Sequence, residues 1–317
     1  MAGLGLHHVT AISGPARRTL DFYGRVLGLR LVKKTVNFDD PGTYHLYFGD
    51  EGGSPGSILT FFPWEHAAPG RLGIGTTERT LFRVPEGSIG FWTQRLLVEG
   101  VAHEQPVRRF GQTVLAFKDP DGLSLGLVGV SGAATEPGFA SAEIAAADAI
   151  RGFAGVALLI EAAEPTAAIL VDVFGYEEIG REDGIIRLEA KAGMGGIVDL
   201  HAAGPFLPAR LGAGSVHHIA FRAADDAAQA AMADRLRQRH GLLTTEQKDR
   251  NYFRSVYFRE PGGVLFEIAT DAPGFAVDED QASLGEALKL PPFLEPYRRS
   301  IEANLPDLGP TTTKEVA

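Results

Sequence analysis

The chain contains no cysteine among its 317 residues. Disulfides, thiolate metal sites and cysteine nucleophiles are thereby excluded, and any metal chemistry must draw on His, Asp and Glu. Basic residues are in deficit: 30 Lys and Arg against 40 Asp and Glu leave a formal net charge of −10. Nucleic acid and anionic membranes reward a basic face, so neither is an expected partner. No apolar run is long enough to span a bilayer. The opening MAGLGLHHVT lacks the basic start and apolar core of a signal peptide, which makes the cytoplasm the expected compartment. What remains is ordinary globular composition, 44% hydrophobic and 22% charged, with length for roughly two domains.

Within that length one pattern recurs four times: a short strand, an amphipathic helix, then strands closing at a Pro/Gly turn. The first unit opens with GLHHVTAI, continues through a helix in GPARRTLDFYGRVLGL with Leu20, Tyr23, Val26 and Leu27 at helical spacing, and stops at Gly28. The second runs from RTLFRV to the turn KDPDG. The third opens with GFAGVALLI, and the fourth with VHHIAFRA, ending in REPGGVLFEIAT. The expected fold is α+β: four βαβββ modules in two curved mixed-sheet cups, each sheet covered by helices on one face and concave on the other. Residues 1–135 hold the first two modules, 150–270 the second two, and 271–317 a tail packed on the body.

The segments HHVT…DFYGRVLGL and EPGGVLFE resemble the vicinal oxygen chelate superfamily, which includes glyoxalase I, bleomycin-resistance proteins and extradiol ring-cleaving dioxygenases. KKTVNFDDPGTYHLYFGDEGGSPGSILTFFPW, DRNYFRSVYFREPGGVLFE and DEDQASLG are similar to its hydroquinone and chlorohydroquinone 1,2-dioxygenases. The resemblance implies Fe(II)-dependent cleavage of a hydroquinone or catechol-like diol by dioxygen, and a homodimer.

Superposing the units isolates a possible site. His-His pairs stand only in the first strands of units one and four, His7-His8 and His217-His218. In the last strands, Glu267 of unit four stands where Phe61, Gly126 and Leu200 stand in its siblings. Two histidines and one carboxylate form the facial ligand set of non-haem Fe(II), with positions left open for substrate and dioxygen. Strand alternation selects the ligands: His8, His218 and Glu267 fall on the concave side, and His217 joins Ile219 and Phe221 on the helix-packed side. The superfamily's ligands fall at the same three positions. Sharing one metal requires modules 1 with 4 and 2 with 3 to pair. Mn(II) is an alternative native ion, and the Irving–Williams order makes Zn or Ni a purification artefact to expect.

Further candidates for catalysis are His217 and His7, which either orient the ligands, contact substrate or simply pack; Tyr257, a proton donor or relay on the concave face; Arg250, a partner for an anionic ring oxygen; and Thr10, on the face of His8. The resemblance implies pocket roles for Tyr257 and Arg250. His45, His66, His103, His201 and His240 are read as structural. Two other functions compete. A glyoxalase-type isomerase or lyase needs a further carboxylate, and Phe61 in its place counts against it. A non-catalytic aromatic-binding resistance protein does not need the triad.

Overall fold

The computed structural model describes residues 3–309. In the first unit, Leu6–Ser13 forms β1, buried throughout. Pro15 caps α1, Ala16–Leu20, which widens into a π-helical turn over Asp21–Val26. Gly28, at φ +68°, ends it in the left-handed region that favours glycine. Strands β2 (Arg30–Asn37), β3 (Asp40–Gly49) and β4 (Ile58–Pro63) complete the unit. The second unit comprises β5 (Thr76–Pro85), α2 (Ile89–Val98), β6 (Val107–Arg109), β7 (Gln112–Lys118) and β8 (Ser124–Val130). The third comprises β9 (Phe153–Ile160), α3 (Glu164–Asp172), β10 (Glu177–Glu182), β11 (Ile185–Glu189) and β12 (Ile197–Ala202). The fourth comprises β13 (Ser215–Ala223), α4 (Asp226–His240), β14 (Lys248–Asp249), β15 (Arg254–Arg259) and β16 (Leu265–Thr270), and α5 (Arg298–Asn304) lies in the tail.

The related turns KDPDG and REPGG are built alike. Asp119 Oδ1 accepts from the Leu123 amide at 2.7 Å, and Glu260 Oε1 accepts from the Val264 amide at 2.8 Å. Each carboxylate thus closes its own hairpin.

Two eight-stranded sheets result, ordered β14-β15-β16-β13-β1-β4-β3-β2 and β10-β11-β12-β9-β5-β8-β7-β6. Units one and four therefore share one sheet, and units two and three the other, as the shared-metal reasoning requires. Each sheet takes one unit from residues 1–135 and one from 150–270. The central pair β1–β13 is antiparallel, whereas β1–β4 and β13–β16 are parallel.

The helix-packed faces of both sheets merge in one core that includes Val9, Phe61, Phe82, Leu158, Ile219 and Phe266. Removing that apolar surface from water is the main term holding the sheets together. The concave face of the first sheet is partly filled by a separate cluster, in which Phe275 and Leu284 of the tail meet Val32, Tyr47, Ile58 and Ala220. The tail is also tied by charge: Lys33 Nζ, fully buried, lies 2.6 Å from Asp278 Oδ1 and 2.5 Å from Glu279 Oε2. Tail residues 310–317 fall outside the described residues.

Candidate metal centre

Both His-His pairs sit on β-bulges. Along the β1–β13 pair, Thr10 faces His218 and Ala11 faces Val216, so His217 is an extra residue. Leu6 faces Phe221 and His8 faces Ala220, so His7 is extra in the other strand. A bulge breaks the two-residue alternation and re-aims side chains. The expected placement of His217 with Ile219 and Phe221 on the helix-packed face is therefore corrected: His217 lines the concave cavity. His7 is buried behind His8, its ring centroid 5.0 Å from that of Phe253.

The two strands and β16 bring His8, His218 and Glu267 together, with one ligand atom from each within 4.8 Å of the others. His8 Nε2 lies 3.3 Å from His218 Nε2 and 3.3 Å from Glu267 Oε2, and His218 Nε2 lies 3.0 Å from the same oxygen. Three donors about 2.1 Å from a common ion are spaced about 3.0–3.4 Å apart, so the separations suit one metal. Glu267 is fully buried. Its Oε1 accepts from the Ser255 hydroxyl, while Oε2 makes no well-aligned hydrogen bond. Burial pushes the Glu267 carboxyl up, but the neighbouring His8 and His218 outweigh it and hold the group well below the usual range. Burial lowers His218. An ionised buried carboxylate with an unpartnered oxygen, facing imidazole nitrogens, is a site that fits a divalent cation.

The other ring nitrogens are occupied symmetrically. His7 Nδ1 lies 2.9 Å from His8 Nδ1, and His217 Nδ1 lies 2.8 Å from His218 Nδ1. A histidine that ligates through Nε2 carries its proton on Nδ1 and needs an acceptor there. Burial lowers His7 well below the ordinary imidazole value and His217 to about 4, so both present a neutral ring able to accept.

The triad opens on a cavity of about 390 Å³ whose walls include Phe38, His45, Phe62, Trp64, Phe253 and Tyr257. Arg250 also lines it, with Nε 3.3 Å from the Tyr257 hydroxyl and a terminal nitrogen 3.0 Å from Asp39 Oδ2. Because the guanidinium can only donate, the Tyr257 oxygen accepts and its own proton stays free. Burial and the charge of Glu267 hold that phenol well above its ordinary value. Thr10 is fully buried and hydrogen-bonds Thr60 rather than lining the cavity. His45, read as structural from sequence, lines the cavity, and so do Tyr47, Phe253 and Asp39, which the sequence reading did not single out. Matching TYHLYF in unit one to RSVYF in unit four was the available signal, since Tyr47 and Tyr257 then coincide.

Comparison with known proteins places this arrangement. The family model for the Glyoxalase/Bleomycin resistance protein/Dioxygenase superfamily matches residues 5–127 and 152–268. The chain belongs to this superfamily. MhqO of Bacillus subtilis, provisionally named a ring-cleaving dioxygenase, is 47% identical over 95% of this chain and 96% of its own length. The chlorohydroquinone/hydroquinone 1,2-dioxygenase of Sphingobium indicum is 33% identical over 92% of each chain. The crystal structure of a provisionally named dioxygenase from Bacillus subtilis superposes with a TM-score of 0.91 at 45% identity, covering 96% of this chain and 97% of that one. Glyoxalase I from Zea mays shares the fold alone, with a TM-score of 0.62 at 14% identity, over 84% of this chain and 92% of that one.

The superfamily's repeated unit allows each ligand to be traced to its siblings by register, and this corrects two sequence alignments. Glu267 pairs with Ala220, two residues beyond His218. The matching residue of unit one, paired with Thr10 two beyond His8, is Thr60 and not Phe61; the PGSILTFF turn is one residue shorter. Phe61 is fully buried in the helix-side core. In unit three the matching residue is Asp199, paired with Ala157, and not Leu200. Asp199 is not free to ligate: Arg187 grips it with two 2.7 Å hydrogen bonds. Arg79 and Gly155 take the places of His8 and His218. A Cβ on Gly155 would lie 1.9 Å from the Ile197 carbonyl oxygen, so no histidine fits there. Among the described residues, only the first cup gathers three His or carboxylate ligands.

Proposed function

We propose that the protein is a metal-dependent ring-cleaving dioxygenase acting on a hydroquinone or catechol-like diol, with Fe(II) as its native ion. One observation carries this reading: a buried triad with ligand separations of 3.0–3.3 Å opens directly onto a cavity walled by aromatic rings. The 33% identity to the Sphingobium enzyme over nearly the full chain supports the substrate class. Thr60, at the register of Glu267 in unit one, offers a hydroxyl where an isomerase of the glyoxalase type would need a carboxylate. The triad is then the whole protein ligand set, and positions remain for small molecules.

His8, His218 and Glu267 would hold the ion, which when bound lowers the pKa of a diol hydroxyl and brings ring and dioxygen to one centre. His7 and His217 accept the Nδ1 protons of the ligand histidines and fix their ring orientation. Tyr257, its oxygen already accepting from Arg250, donates its proton toward an oxygen atom in the cavity. Arg250 keeps a positive charge beside developing ring-oxygen charge. Phe62 and Trp64, their planes 20° apart, form an apolar wall for a planar ring and help exclude water. The test is anaerobic loading with Fe(II), followed by oxygen-uptake measurements with a panel of hydroquinones and catechols. Uptake matched to ring opening is expected for at least one diol. Absence of uptake with every diol on metal-loaded protein overturns the reading.

A further inference from the structure

Each unit contributes one hairpin to the outer edge of a sheet, and one of the four is built differently. The β2–β3, β6–β7 and β10–β11 hairpins turn in two residues, between the pairs Asn37–Asp40, Arg109–Gln112 and Glu182–Ile185. Loops that short follow the twist of their own strands. The β14–β15 hairpin of unit four closes on the pair Asp249–Arg254 and carries a longer loop, Arg250–Phe253, on an outer strand only two residues long. With so few ladder bonds, the strand pair alone holds this loop weakly. The loop nevertheless delivers two groups to the cavity: Arg250, on the Tyr257 hydroxyl, and Phe253, with its ring centroid 4.9 Å from that of His8.

The tail supplies the missing support. Tyr252, between those two residues, is buried against Phe275 of the tail, with ring centroids 5.2 Å apart. Its carbonyl accepts from the Gly274 amide at 2.9 Å, and its hydroxyl donates to Asp278 Oδ2 at 3.0 Å. A phenol bound to a carboxylate makes a charge-assisted hydrogen bond, stronger than a neutral one. Asp278 is itself anchored, since its Oδ1 lies 2.6 Å from Nζ of Lys33, a fully buried residue of β2. The Tyr252 amide donates to the Arg250 carbonyl at 2.8 Å, and the Arg250 amide to the Phe253 carbonyl at 2.9 Å, so the loop moves as one piece. An unbroken path of ion pair and hydrogen bonds thus runs from Lys33 through Asp278, Tyr252 and Arg250 to Tyr257.

We propose that Tyr252 and Asp278 are positioning residues of the site: through their hydrogen bond the tail holds the loop so that Arg250 stays on the Tyr257 oxygen with its charge in the cavity. The value of that charge to a bound diol rests on the proposed function, whereas the placement of Arg250 does not. Arginine Nε–H NMR of the full chain loaded with Zn(II) reads the placement directly. The Arg250 signal, identified by its loss in Arg250→Lys, should exchange slowly with water in the parent protein. Exchange should be about tenfold or more faster in Tyr252→Phe and in Asp278→Ala; in the latter Lys33 keeps Glu279 as a partner. Tyr176→Phe removes a different buried phenol hydroxyl, one bonded to the Gly195 carbonyl in the helix-side core, and should leave Arg250 exchange unchanged. Anaerobic titration of metal-loaded protein with a chromophoric nitrocatechol tests the consequence. Tyr252→Phe should weaken binding about threefold or more, and should have no further effect in an Arg250→Ala background. Unchanged Arg250 exchange in both Tyr252→Phe and Asp278→Ala, the same acceleration in Tyr176→Phe, or an equal loss of binding with and without Arg250 overturns the proposal. A parent protein that binds no nitrocatechol, with Arg250 exchange as expected, overturns only the diol reading.

Discussion

Replacing His7 or His217 by Phe probes how the ligand histidines are held. Each substitution keeps a planar ring in place but removes the Nδ1 acceptor that lies 2.9 Å from His8 or 2.8 Å from His218. Loss of such a partner typically costs 10–100-fold in metal affinity, about 1.4–2.7 kcal/mol. At a free metal concentration about 100 times the parent Kd, the parent gains roughly 2.7 kcal/mol of stability from metal. Each variant should gain only about 0.4–1.4 kcal/mol at the same concentration. Calorimetric titration with Mn(II) or Zn(II), and urea melts with and without metal, measure both quantities. The two variants should then part company: His217 lines the cavity and His7 does not, so only His217→Phe should also weaken anaerobic diol binding. Unchanged metal affinity in both variants refutes the orienting role.

Tyr257→Phe should lower kcat more than it raises KM in steady-state oxygen uptake, since it removes a proton donor while keeping the ring beside His218. Lys33→Met should destabilise the fold by about 3 kcal/mol, because it strands Glu279 and Asp278 against a buried site; urea denaturation reads this. Burial raises the Asp119 carboxyl to about 6, above its value in an unfolded chain of about 3.9. The native state therefore holds this proton more tightly. The resulting stabilisation is complete below about pH 4 and is lost as pH rises through 6. Asp119→Asn should flatten the stability profile between those values in pH-dependent urea melts.

Much of this molecule was legible from its repeats. The doubled His-His pair and the lone Glu267 pointed to a site shared by the outer units, and the sheet order agrees. The turns KDPDG and REPGG matched because each closes with its own carboxylate. What escaped were effects of one extra or one missing residue. Alternation placed His217 on the wrong face because a bulge cannot be seen in a two-residue period. The short turn before β4 disguised Thr60, and the alignment that chose Leu200 missed Asp199. From sequence, His45 reads as structural because a lone histidine on a strand usually is; both its ring nitrogens are indeed satisfied within the chain, but its location in the cavity wall depends on the pairing of β3 with β4. Arg250 and Phe253 reach the site through a loop braced by the tail, where Tyr252 donates to Asp278 Oδ2 at 3.0 Å, a contact across 26 residues without periodicity.

The most direct measurement is oxygen-isotope incorporation. Parent protein and Glu267→Gln are each treated anaerobically with Fe(II), given the diol that supports the fastest uptake, and exposed to labelled dioxygen. The account predicts a ring-opened product carrying both labelled oxygen atoms from the parent, and neither bound metal nor product from Glu267→Gln. A parent product without label, or undiminished turnover in Glu267→Gln, would contradict it.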